Sequence, residues 1–114
     1  MNKEQFIIKG VVVDPLKKTI EGGRIIIDNG KITAIEHDSS ITQPFILPGF
    51  VDSHIHIESS MLIPSQFAKM ALAHGTIAVM CDPHEVANVS GIDGINYMLN
   101  DAKQSPLKFF FGVP

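Results

Sequence analysis

One cysteine, no cluster of basic residues and no long apolar run: several classes of protein are removed by what this sequence has little of. A single thiol, Cys81, cannot build an internal disulfide framework and suits a reducing compartment. Nine lysines and arginines against twelve acidic residues give a net charge of −3, so the electrostatic footprint of a nucleic-acid binder is missing. Lys9 interrupts the first apolar stretch, and no run approaches the ~20 residues of a membrane-spanning helix. The opening MNKEQFIIKG lacks the basic start, apolar middle and small-residue cleavage site of a secretory signal. A cytoplasmic protein with no nucleic-acid and no membrane partner is the expectation. The remainder, 45% hydrophobic and 18% charged, has the composition of an ordinary globular domain.

Two periodicities divide the 114 residues. Up to residue 47 the pattern is β. Residues 6–13 are rich in valine and isoleucine and end at Asp14-Pro15, while 24–28 and 31–36 are joined by Asn29-Gly30. Asn-Gly accepts positive φ at both central positions of a type I′ turn, so a hairpin is predicted there. These pieces predict a small antiparallel sheet, followed by an apolar link at 45–47 between Pro44 and Pro48. From residue 48 the pattern alternates: strand 50–57, helix 64–73 with Pro64 early and Gly75 just past its end, strand 76–81, helix 94–104, strand 107–111. Alternation of this kind predicts βαβ units and a parallel sheet. Nothing follows strand 107–111 to cover it, and a bare parallel edge is an aggregation hazard. The expectation is therefore the N-terminal piece of a longer protein.

The segment VDSHIHIESS, 51–60, places two of only five histidines one residue apart. Side chains alternate along a strand, so Phe50, Asp52, His54, His56 and Glu58 are expected on one face, with Val51, Ile55 and Ile57 on an apolar face under helices. Two strand rises put the paired Cα atoms about 6.6 Å apart, and both rings can then reach one metal ion at roughly 2.1 Å. A bare H-x-H arises by chance in about one such chain in five, and a pair on a solvent face is the alternative. A second cluster, CDPHEVANV at 81–89, follows strand 76–81. Loops after the strands of parallel α/β folds form the active-site rim, which brings Asp82, His84 and Glu85 beside His56 and Glu58. A polar strand-to-helix loop with no chemistry is the other reading of that segment. His74 ends a helix where a cation suits the dipole, His37 receives no role, and Cys81 reads as a small core residue.

PGFVDSHIH, 48–56, resembles the first-strand signature of the amidohydrolase superfamily. HIESSMLIPSQFAKMALAHGT (56–76) and DPHEVANVSGIDGINYML (82–99) are similar to the adenine deaminases within it. The resemblance implies an α/β fold: a small β-rich N-terminal domain over 1–47, then the first three strands and two helices of a metal-dependent (β/α)8 barrel over 48–114. It also implies hydrolytic deamination of adenine to hypoxanthine and ammonia in purine salvage. The cofactor would be a binuclear divalent centre of manganese or iron, with zinc a further choice, and the intact protein a homo-oligomer. His54 and His56 match the first-strand metal ligands; Glu58, Asp82, His84 and Glu85 are placed near metal or purine, with individual roles open. The superfamily's carboxylate on the fourth strand, histidines on the fifth and sixth and aspartate on the eighth would all follow Pro114. A complete barrel takes about 250 residues, so the piece alone is expected to be catalytically silent. A cyclic amidase, a dihydroorotase-like enzyme or an N-deacetylase would share the histidine pair. A non-catalytic metal-binding or interaction module is the reading outside enzymes.

Overall fold

The computed structural model describes residues 5–113. It separates into two compact units, Met1–Pro48 and Gly49–Pro114.

The first unit is a four-stranded sheet. Strands β1 (Phe6–Asp14), β2 (Thr19–Asp28) and β3 (Lys31–His37) follow one another, and a two-residue β4 (Phe45–Ile46) completes the order β3-β2-β1-β4. β1 and β2 pair antiparallel along their whole length, from Phe6 opposite Ile27 to Asp14 opposite Thr19. Their turn is held by Asp14, whose Oδ1 accepts from the N–H groups of Leu16 and Lys17 at 2.9 Å each. In the β2–β3 hairpin Asn29 and Gly30 have φ of 52° and 76°, both positive as a type I′ turn requires. Two expectations are corrected. β2 begins at Thr19 rather than residue 24, because full pairing with β1 carries the strand through Glu21-Gly22-Gly23. The sheet is mixed rather than antiparallel, because the apolar link at 45–47 supplies β4, parallel to β1 through Val11–Phe45 and Val12–Ile46. Val11 and Ile25 are its buried apolar residues.

The second unit is a three-stranded parallel sheet with two helices. β5 (Phe50–Ile55), helix α1 (Pro64–Ala73), β6 (Thr76–Cys81), helix α2 (His84–Ala102) and β7 (Lys108–Phe111) succeed one another, and the sheet order is β5-β6-β7. Val79 and Cys81 on β6 and Phe109 and Phe111 on β7 meet Phe67, Ala68 and Leu72 of α1 and Val86 and Met98 of α2 in one core, closed by Ile57 and Leu107. Both helices therefore pack on the same face of the sheet. Pro64 at the start of α1 and Gly75 with φ 86° just after it bound that helix where their chemistry predicts.

Four boundaries differ from the sequence reading, one of them the end of α2, at Ala102 rather than residue 104. β7 starts one residue later, at Lys108. α2 starts at His84, ten residues before the expected 94, because the helix runs on both sides of a break at Gly91 (φ 56°, ψ −145°). β5 ends at Ile55 rather than 57, since the chain turns at Ile57 (φ −62°, ψ −40°) into a single 3-10 turn over Glu58–Ser60. The alternation expected through 50–58 is broken earlier as well. Asp52 pairs with Val79 and Ile55 with Cys81, so three steps along β5 match two along β6. One extra residue in a ladder bends the strand and re-aims its side chains. Val51, expected under helices, is 62% exposed, and Ile57, at the turn, is fully buried.

Candidate functional site

The polar residues of the second unit converge where β5 and β6 end. The two ends are tied through the backbone: the Asp82 N–H donates to the Ile55 carbonyl at 3.0 Å. The His56 ring then donates from Nδ1 to the Asp82 carbonyl at 2.9 Å. A carbonyl can only accept, so this bond puts a proton on Nδ1, and in the neutral ring Nε2 is then the lone-pair nitrogen. His56 Nε2 lies 3.1 Å from His54 Nε2, the two rings edge to face. Two nitrogens each about 2.1 Å from one ion, at tetrahedral or octahedral angles, are roughly 3.0–3.4 Å apart. The pair thus has the spacing of two ligands on a common cation.

Asp82 serves a second imidazole through its side chain. Its Oδ2 accepts from His84 Nδ1 at 3.1 Å, which orients that ring, and the His56 and His84 rings stand 4.7 Å apart, edge to face. Such bonds from the far ring nitrogen are how ligating histidines are held in tautomer and direction. The ligand atoms of His54, His56 and Asp82 lie within 4.8 Å of one another, and so do those of His56, His84 and Glu85.

Correcting the sequence expectation, His84 and Glu85 stand in the first turn of α2 and not in a loop, and Glu58 stands in the 3-10 turn and not on β5. The two turns face each other. Glu58 Oε1 accepts from the Val86 N–H at 3.4 Å, and Ser59 Oγ donates to Glu85 Oε1 at 2.6 Å. Helix α2 has Pro83 at its N-cap position and no side-chain cap of its own, so the Glu58 carboxylate fills that role and sits where the helix dipole favours negative charge. Two side-chain oxygens here, Glu58 Oε2 and Asp82 Oδ1, are buried without a hydrogen-bond partner. Buried carboxylate oxygens normally find a donor or a cation. Two converging imidazole nitrogens beside orphaned carboxylate oxygens are a donor set that suits a divalent metal.

Cys81 behaves as a core residue. It is 3% exposed, and burial first, then the negative charges of Glu58 and Asp52, push its thiol up to about 12. It belongs to the core packing rather than to the site. The sequence reading gave no role to Asp52 or Ser59. Asp52 Oδ1 accepts from the His54 N–H at 3.1 Å and shapes the irregular end of β5. An aspartate two residues before a histidine is an ordinary signal for such a local bond; the serine has no comparable signature.

The profile of the amidohydrolase family matches residues 45–114. The chain belongs to the amidohydrolase family. Curated amidohydrolase relatives run along almost all of it. An adenine deaminase of Methanosarcina barkeri is 54% identical over 106 residues, 93% of this chain and 19% of the relative. One of Borreliella burgdorferi is 51% identical over 109 residues, 96% of this chain and 20% of the relative. One of Methanothermobacter thermautotrophicus is 43% identical over 108 residues, 95% of this chain and 20% of the relative. The chain thus spans about a fifth of the length of these relatives.

Proposed function

We propose that the polypeptide carrying this segment, with the remaining length of its relatives, hydrolyses adenine to hypoxanthine and ammonia. In this reading residues 1–47 are the small β-rich N-terminal domain and 48–114 the opening of a (β/α)8 catalytic barrel, in a cytoplasmic homo-oligomer. The observation that carries it is the His54–His56 pair: Nε2 atoms 3.1 Å apart, with His56 locked by the Asp82 carbonyl, in a chain 54% identical to an adenine deaminase. Relatives bearing that name do not favour a cyclic amidase or deacetylase.

His54 and His56 would supply, through Nε2, two of the ligands of a binuclear divalent centre, manganese or iron with zinc as the third option, the others coming from the remaining length of the polypeptide. Such a centre acidifies water, so that hydroxide is available near neutral pH. The chain's own part is orientation and proton handling. Asp82 aims two imidazoles. The His84 ring and the Glu85 carboxylate lie beside His56, where they would reach a purine ring bound against the histidines. Glu58, placed against α2, keeps one buried oxygen unengaged. Water adds at the purine C6, the bond from C6 to the exocyclic nitrogen breaks, and a carboxylate or imidazole on this rim passes a proton to the departing amine.

The test is ammonia release from adenine by the full-length protein, stripped by chelation and reloaded with manganese or iron. His54→Ala and His56→Ala are each expected to lower kcat/KM by at least a hundredfold, and a dihydropyrimidine should not turn over. Full activity in His54→Ala, or preference for the cyclic amide, would overturn the assignment.

A further inference from the structure

Glu85 is the second residue of α2, near a helix end, on a side chain with three rotatable bonds. Left alone, such a side chain spreads over several rotamers. Its position has a visible cause. Ser59 Oγ donates to Glu85 Oε1 at 2.6 Å, the short distance of a charge-assisted hydrogen bond.

The neighbouring serine offers an internal comparison. Ser60 Oγ is turned the other way and bonds the Ile57 carbonyl at 2.6 Å within its own turn. One hydroxyl of the pair closes the 3-10 turn locally, and the other crosses to α2. The platform under Ser59 is rigid, because the turn follows the fully buried Ile57, and the Asp82 N–H to Ile55 carbonyl bond fixes the end of β5 against the end of β6. The Glu58 to Val86 bond adds a second tie between the same two turns.

We infer that Ser59 is a positioning residue for the site: it pins one oxygen of Glu85 and so presents the carboxylate to the space shared by His56 and His84, whose ligand atoms lie within 4.8 Å of that of Glu85. Ser59 itself touches no reacting group. It replaces rotamer search by a single orientation, and misplacing a group near the chemistry by about 1 Å can cost as much as a hundredfold in rate. This rests on the deaminase reading for its kinetic consequence, but not for its structural one.

The experiment therefore has two arms, both on the full-length protein. The first arm is crystallographic and independent of the reaction: Ser59→Ala is expected to release Glu85 from one rotamer into several, with His56 and His84 unmoved, while Ser60→Ala leaves Glu85 ordered. The second is kinetic. Ser59→Ala is expected to lower kcat on adenine ten- to a hundredfold with bound metal and Tm unchanged, Ser59→Thr to restore it to within a few fold, and Ser59→Ala added to Glu85→Gln to cost nothing further, as for two residues acting as a unit. A single ordered Glu85 rotamer in Ser59→Ala overturns the inference, and so does a Ser59→Ala loss that simply multiplies that of Glu85→Gln. If the wild-type protein releases no ammonia from adenine, the deaminase reading fails, and the crystallographic arm alone decides the role of Ser59.

Discussion

Asp82 shows how much one residue organises when main chain and side chain act separately. Its N–H joins β6 to β5, its carbonyl sets the His56 tautomer, and its carboxylate steers His84. Asp82→Asn leaves the first two bonds in place and alters only the third. It also replaces the unpartnered, buried Oδ1 that faces the histidine pair, and is expected to lower metal affinity by a hundredfold or more, as read by titration of the stripped full-length protein. A loss within about tenfold, the lower end of the range for an outer partner of a ligand, would mean that the carboxylate does not bind the ion. Cys81, immediately before it, gives a pH prediction. The folded thiol sits at about 12 against an ordinary 9.0, so the fold retains a proton that the unfolded chain gives up. Stability from that source is complete below pH 9 and is lost as pH rises from 9 towards 12. At pH 9 iodoacetamide should label Cys81 rapidly in denaturant and no faster than unfolding in the native protein. Fast native labelling would contradict the burial argument.

At the scale of elements, α1 has a cap supplied by another helix. Its N-cap residue, Ile63, has no hydrogen-bonding side chain, and Asp101 of α2 instead accepts from the Ser65 N–H at 2.7 Å and the Ser65 hydroxyl at 3.1 Å. Asp101 is 8% exposed, the one buried charged residue among those described. Asp101→Ala removes both bonds and is expected to destabilise the protein by about 1–2 kcal/mol, the range of N-cap deletions, measured as a lower urea midpoint. A second prediction concerns Gly91. Its φ of 56° with ψ of −145° lies where side chains are scarcely tolerated, yet a Cβ there would meet nothing within 4 Å. Gly91→Ala should therefore cost about 1–3 kcal/mol through backbone strain alone. If it proves neutral in the same assay, the break in α2 is not needed by the fold.

The elements also show what a sequence can and cannot reveal. α1 over Pro64–Ala73 and β6 over Thr76–Cys81 coincide with their expected bounds because proline and glycine mark them. The start of α2 was illegible for the opposite reason. Pro83, the polar residues around it and Gly91 imitate a loop, and of residues 84–90 Val86 alone reaches the core cluster. The apolar alternation carries β5 on to Ile57, two residues too far, whereas the chain has by then turned helical and buries Ile57 by bending. The same bend took Glu58 off the strand and set it against α2, where no periodicity could place it. His54, His56, Glu58, Asp82, His84 and Glu85 stand out as polar clusters in the sequence, but the Ser59–Glu85 bond and the tautomer lock by a main-chain carbonyl leave no trace in a string of letters.

For the whole molecule, the candidate metal ligands are few and the relatives are about five times longer. The 114-residue chain alone is expected to release no ammonia from adenine above a His54→Ala control, and a clear excess would show that the segment is self-sufficient. The second unit also leaves β7 paired on one side only among the described residues, with Phe110 half exposed. A strand edge of that kind recruits other chains. Light scattering of the isolated segment should therefore report heterogeneous aggregates, and a defined small oligomer would favour a self-contained module.

Glu58 Oε2 and Asp82 Oδ1, buried with no hydrogen-bond partner among the described residues, tie folding to the supply of an ion. A cation that satisfies them favours the native state by mass action, so folding and metal supply become a single equilibrium. Starved of such an ion, the polypeptide would spend more of its time unfolded and open to proteases.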